Sequence, residues 1–200
     1  LLTTLTEADR RLVREVVDII TSGQELDLQR FTGASTDNIL ALRTDGELDD
    51  YTYRVAGCVG EFWTKMCRTY VFPGEKLDDA KLLADGVRFG KGLQLVNILR
   101  DLPADLKNGR CYLPSEALAK LGLNPADLRN PANETMLRPL YNHWLDQAEA
   151  PLTAGWAYKN TITLTCVHVR RACAWPLLIG IPTPHRPRTG HVLSQQPTLN

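Results

Sequence analysis

The sequence lacks an excess of charge of either sign: 23 Lys and Arg stand against 23 Asp and Glu, for a formal net charge of zero. That excludes the broad basic face that binding along a nucleic-acid duplex requires. No nucleic acid is expected as a partner, and any anion site has to be local. CxxC spacing is also absent. The five cysteines, Cys58, Cys67, Cys111, Cys166 and Cys173, are odd in number and scattered. A disulfide framework and a cysteine-based zinc site are thereby excluded, and free thiols in a reducing cytosol are what remains. No apolar run is long enough to cross a bilayer. The longest, Ala172 to Ile181, interrupted by Pro176, is about half the length needed and reads as a buried helix end. No basic leader with a signal-type apolar core is present, and the chain opens at Leu1 rather than Met. Sustained strand alternation is missing, as are internal repeats.

What is present is ordinary for a globular chain: 200 residues, 44% hydrophobic and 23% charged, enough for one domain with a real core. The apolar spacing is helical. Thr6 with Asp9 resembles an N-cap, and Leu12, Val13, Val16, Val17 and Ile20 follow on one stripe, with Gly23 as the stop. A mixed connector to about Gly46 comes next. A long helix is predicted from about Glu47 to Tyr70, with Gly57 and Gly60 inside it, each costing about 1 kcal/mol against Ala. Phe72-Pro73-Gly74 is a turn. A second long helix is predicted from about Leu77 to beyond Leu99, with Gly86, Gly90 and Gly92 along it. Ser115 caps a short helix ending at Gly122, and Asn124-Pro125 opens another. Helical pattern resumes near Asn133, is disturbed at Pro139 and runs to about Ala157. A last helix is expected over Ile162 to Ala174, although Thr161 to Val169 is strand-like in composition. From Pro182 to Asn200, with four prolines and few apolar residues, the expectation is an irregular tail, leaving 1–181 as the domain.

The run that carries chemistry is Gly92 to Asp105. On a helix, Asn97, Asp101 and Asp105 stand at i, i+4 and i+8, with Gln94 one turn earlier. Each step rotates about 40° and rises about 6 Å, so four polar side chains share one face. Two carboxylates a turn apart repel. A hard cation reconciles them: Mg²⁺ takes oxygen ligands, typically one or two carboxylates together with substrate phosphates and waters. Arg100, Lys107 and Arg110 stand within reach of a diphosphate. A solvated helix face with i,i+4 charges produces the same string, so the spacing by itself leaves both readings open.

The wording around it is more specific. Leu93-Gln94-Leu95-Val96-Asn97-Ile98-Leu99-Arg100-Asp101, then Asp105, then Gly109-Arg110-Cys111-Tyr112-Leu113-Pro114, resembles the second aspartate-rich signature of squalene and phytoene synthases. Tyr51 to Gly60 (YTYRVAGCVG) resembles the family's other signature, and Arg171 to Gly180 resembles its C-terminal helix end. The resemblance implies an all-α fold, a helical bundle of the isoprenoid synthase type around a central cavity. It implies head-to-head condensation of two prenyl diphosphates, two farnesyl diphosphates giving presqualene diphosphate or squalene, with Mg²⁺ as cofactor and NADPH where squalene is the product. Phytoene synthesis from geranylgeranyl diphosphate and a non-catalytic binding homologue are the alternatives. By the same resemblance, Asn97, Asp101 and Asp105 are metal ligands. Tyr51, Arg100 and Tyr112 are catalytic, with Tyr51 beside the carbocation. Val55, Gly60, Gln94, Asn97 and Arg110 bind substrate. From the residues alone, Tyr51 reads equally as a core tyrosine, and Gly57 and Gly60 as helix-packing positions. A cytoplasmic protein is expected, with peripheral membrane contact implied by apolar products.

Two departures matter. The family's first aspartate-rich motif has no counterpart here, because Asp49-Asp50 and Asp78-Asp79 stand in the wrong places. The chain is therefore expected to lack part of the metal cage and to be inactive by itself. Pro103 removes an amide donor inside the signature helix and is expected to kink it.

Overall fold

The computed structural model describes residues 4–161, 171, 192 and 193. Thr6 accepts a hydrogen bond from the Asp9 amide and starts α1, Glu7–Arg30. A two-residue strand β1, Leu40–Ala41, precedes α2, Asp45–Thr52, which Thr44 caps. A π-helical turn, Tyr53–Gly57, joins α2 to α3, Cys58–Tyr70. The central α4 runs Asp79–Lys107. Strand β2, Arg110–Cys111, pairs in parallel with β1, after which come α5, Ser115–Ala119, and two 3₁₀ turns, Pro125–Arg129 and Pro131–Asn133. The last described element is α6, Glu134–Thr161.

The described chain is all-α apart from the strand pair. No described helix is long and apolar enough to cross a membrane. The expected terminal helix, the strand-like Thr161–Val169 stretch beyond Thr161, the Ala172–Ile181 run, Cys166 and Cys173, and nearly all of the expected tail lie outside the described residues.

Helix α4 is buried on several sides, with Leu95, Val96, Ile98, Leu99, Leu102 and Leu106 in the core. It meets Leu137, Tyr141, Leu145, Ala148 and Leu152 of α6. Its C-terminal half, apolar on more than one side, therefore sits in the middle of the fold. Only its polar stripe then has to find something other than hydrocarbon.

Two helix-breaking residues are accommodated by tertiary contacts, and the first corrects an expectation. Gly23 does not end α1. It is buried, and a Cβ there would lie 2.8 Å from the Arg54 Cβ, so the glycine lets α1 press against the π-helical turn. Pro103 lies inside α4, which runs on to Lys107. Its missing amide leaves the Leu99 carbonyl without its helical partner, and the buried Tyr141 hydroxyl donates to that carbonyl at 2.8 Å. Helix α6 thus supplies the bond that proline withholds. Tyr141→Phe is expected to strand the carbonyl and to cost about 1–2 kcal/mol. Thermal unfolding checks this, and an unchanged melting temperature contradicts it. Pro139, which was expected to disturb α6, is accommodated inside it.

Candidate active site

The last turn of α2, one face of α4, strand β2 and the end of α1 converge on one polar cluster. Gly109 makes this possible. It leaves α4 at φ +77°, and a Cβ there would lie 2.3 Å from the Ser35 backbone. The chain reverses tightly and pairs Arg110–Cys111 with Leu40–Ala41. Arg110 and Tyr112, two residues apart on an extended segment, are brought back beside α4.

Tyr51 stacks on Tyr112, ring centroids 4.7 Å apart and planes 28° off parallel. Its side chain also reaches Gln94 on α4. Burial pushes the Tyr51 phenol above its ordinary range, and pushes Tyr112 up further. Both phenols are therefore protonated donors at neutral pH. Arg110 donates to Asp27 at 2.8 Å and lies over the Phe31 ring, 5.4 Å from its centroid. Tyr112 donates to Asp27 at 3.1 Å and meets Phe31 edge-on at 5.1 Å.

On α4, Asn97 donates to Gln94 at 3.5 Å. Arg100 grips Asp101 through two bonds, 2.8 and 2.7 Å, and this pair holds the guanidinium pKa above its ordinary range. Asp105 is half-buried, and its carboxyl is raised to about 6. Desolvation is the main cause and the charge of Asp101 adds to it, while Arg110 opposes them. Val55 lies half-buried in the π-helical turn. Gly60 sits where a Cβ would be 2.0 Å from the Gly86 carbonyl oxygen, at the α3–α4 crossing.

The structure thus brings Tyr51, Gln94, Arg110, Tyr112 and Asp105 together, with Asp101 and Arg100 one turn along α4. Gly60 stands apart in the helix interface. The acidic pairs set aside as candidates serve other purposes. Asp49 pairs with Lys91, Asp50 with Arg54 and Arg30, Asp78 caps α4, and Asp79 pairs with Arg68. A cavity of about 450 Å³ lies on a different side of α4, between α2, α4 and α6, lined by Leu48, Lys91, Leu95, Trp144 and Pro151 among others.

Across residues 1–186 the chain matches the family model for squalene/phytoene synthase. The chain belongs to the squalene/phytoene synthase family. It is 33% identical over 173 residues to the presqualene diphosphate synthase of Rhodopseudomonas palustris, covering 84% of this chain and 53% of that one. It is 34% identical over 131 residues to the 15-cis-phytoene synthase of Synechocystis, covering 64% of this chain and 36% of that one. The squalene synthase HpnC from Alicyclobacillus acidocaldarius has the same fold, with a TM-score of 0.70 at 20% identity over 87% of this chain and 59% of that one. The chain spans about half the length or less of the curated relatives it matches.

In this member of the squalene/phytoene synthase family one cluster residue escapes the sequence. Asp27 is bonded to Arg110 across 83 positions. With Gly23 taken as the end of the first helix, Asp27 fell into a connector. No local pattern marks a partner so distant. The signal available was the unbroken helix-forming stretch past Gly23, which carries Asp27 and Phe31 one turn apart.

The raised Asp105 carboxyl makes stability pH-dependent. Its folded value, about 6, exceeds the ordinary 3.8. Between those values the folded chain binds more protons than the unfolded one. This carboxyl's contribution therefore falls as pH rises through that window and is flat above it. Asp105→Asn mimics the protonated form. The melting temperature of Asp105→Asn minus that of the unsubstituted protein, without divalent cation, is expected to grow between pH 4 and 6 and then level off. A difference that is constant with pH contradicts the burial of Asp105.

Proposed function

We propose that this chain supplies one wall of a site that condenses two prenyl diphosphates head to head. The observation that carries the reading is the polar cluster itself: two carboxylates, a paired arginine and two stacked phenols beside a stretch of α4 whose Leu95, Val96, Ile98, Leu99 and Leu102 are buried in the core. A solvated helix face would not hold Asp105 half-buried with its carboxyl raised to about 6.

A divalent cation fits these residues. Asp105 is disfavoured as an anion by desolvation and by Asp101, which is a deficit that a hard cation removes. Among the described residues no three His, Cys, Asp or Glu side chains converge as a metal site. The donor set on α4 is instead the one Mg²⁺ ordinarily uses, with one or two carboxylates and the remaining oxygens from phosphate and water. Asp101 and Asp105 would hold it, with the Asn97 carboxamide as a further oxygen. When bound, the cation neutralises charge on the departing diphosphate.

The chain's own residues do the rest. Arg110, and the Arg100 N–H groups not held by Asp101, offer donors to diphosphate oxygens, while the Tyr112 hydroxyl, donated to Asp27, holds its ring beside Arg110 and Tyr51. Tyr51, stacked on Tyr112, presents an aromatic face and hydroxyl to developing positive charge on the allylic carbon. Gln94 orients Tyr51. Val55, half-buried in the turn that follows Tyr51, would help to keep water from the allylic carbocation.

The substrate read here is farnesyl diphosphate, giving presqualene diphosphate. The support is the Rhodopseudomonas relative, whose match covers more of this chain than that of the phytoene synthase. Labelled farnesyl and geranylgeranyl diphosphates, incubated with Mg²⁺ and with or without NADPH, test it. One arm uses this chain and another uses the chain extended by the N-terminal part of that relative. Presqualene diphosphate from the extended protein only is the expected result, with squalene on adding NADPH if reduction follows. A C40 product reassigns the substrate, and no condensation product in either arm overturns the reading.

A further inference from the structure

We infer that Asp27 is a positioning residue for this site: the last turn of α1 fixes the Arg110 guanidinium and the Tyr112 phenol in the orientation from which they serve the diphosphate and Tyr51. The inference rests on the reading of the cluster as a prenyl diphosphate site.

The geometry is that of a clamp. Asp27 uses one carboxylate oxygen for Arg110 at 2.8 Å and the other for the Tyr112 hydroxyl at 3.1 Å. Its side chain is 13% exposed against 33% for Arg110, so the carboxylate is the inner member and the guanidinium the outer one. Phe31, one helical turn on, lies beneath the guanidinium and against the edge of Tyr112. Arg110 is thus held by a charge on one side and a ring face on the other. A long flexible side chain loses most of its rotamer freedom before any substrate arrives.

The carboxylate also acts on the phenol. An anion that accepts from the Tyr112 hydroxyl favours the neutral phenol over phenolate. Tyr112 stays a donor, and its ring stays in the stack on Tyr51. Asp27 need not touch the reacting carbons. Its effect passes through Arg110 and Tyr112, and displacing a catalytic group by about 1 Å is enough to cost about 10²-fold in rate.

Asp27→Asn, Asp27→Glu and Tyr112→Phe in the extended protein test this. Asp27→Asn is expected to lower kcat about 10–100-fold and to change KM for the prenyl diphosphate by no more than about threefold, because orientation rather than uniform binding is lost. The near-ultraviolet circular dichroism of the tyrosine stack should collapse in Asp27→Asn as it does in Tyr112→Phe, with far-ultraviolet spectra unchanged. Asp27→Glu, keeping the charge on a longer arm, should recover part of kcat. The inference is overturned by an Asp27→Asn protein that keeps kcat and the tyrosine band. It is equally overturned by a loss confined to KM, or by a loss shared fully by Asp27→Glu. If the unsubstituted protein turns over no prenyl diphosphate, the condensation reading fails on its own. The dichroism then decides whether Asp27 holds the stack.

Discussion

In the N-terminally extended protein, Asp101→Asn is expected to lower kcat for the proposed condensation about 10²–10³-fold, the range for removing one preorganised electrostatic contact to a developing charge. The substitution is nearly isosteric and leaves the fold almost untouched. The Asp101 side chain is 43% exposed and its pairing with Arg100 is between neighbours in sequence, a type of ion pair worth about 0–1 kcal/mol. Two consequences should then separate. Turnover collapses while the melting temperature stays within a few degrees, and the Mg²⁺ concentration for half-maximal rate rises. Asp105→Asn should share the catalytic loss while gaining stability above pH 6, since it removes a carboxylate that folding disfavours. Such a trade of stability against activity is what a site under electrostatic strain produces. Steady-state kinetics at varied Mg²⁺, read beside thermal unfolding, decide the matter. An extended Asp101→Asn protein with unchanged kcat would remove the proposed metal-binding role from α4.

Gly60→Val is expected to destabilise the fold by about 3 kcal/mol, at the upper end of overpacking costs. The obstacle is backbone: the Gly86 carbonyl oxygen would lie 2.0 Å and its carbon 2.7 Å from the new Cβ. No side chain can rotate aside, so α3 and α4 must separate. Gly90 meets the Ala56 carbonyl oxygen in the same way, at 2.3 Å, so separation at one point is resisted at the next. Helix propensity returns only a few tenths of a kcal/mol on replacing Gly by Val. The melting temperature should drop by about 6–12 °C for a chain of this size. Because α3 follows the turn that carries Val55, the same substitution should also raise KM. A Gly60→Val protein as stable as the parent would show that the two helices are not in contact there.

The helices themselves were legible because their signals are local. Apolar spacing of three and four marks α1, α4 and α6, and Thr6 and Asn124 each place a side-chain oxygen where backbone amides need one. The i, i+4, i+8 placement of Asn97, Asp101 and Asp105 needed only that α4 be a helix. Gly23 misled, and Pro103 is tolerated, for a single reason. Each is a helix breaker in isolation, and each is offset by a residue from elsewhere in the chain. Arg54 packs on the glycine, and the Tyr141 hydroxyl caps the carbonyl freed by the proline. The π-helical turn at Tyr53–Gly57 left no mark in composition, since its cause is how α2 and α3 fit on α4 and α1.

By itself the sequence determined a helical chain, the family to which it belongs, and one helix face bearing two carboxylates a turn apart. It could do so because periodicity and motif order are properties of neighbours along the chain. The tertiary structure alone decided that Asp27 clamps Arg110 and Tyr112, that Tyr51 stacks on Tyr112, and that the glycines of α3 and α4 serve helix contact. Those facts depend on atoms separated by tens of residues and joined within a few ångströms, a proximity created only when burying apolar surface around α4 draws α1, α2 and β2 together.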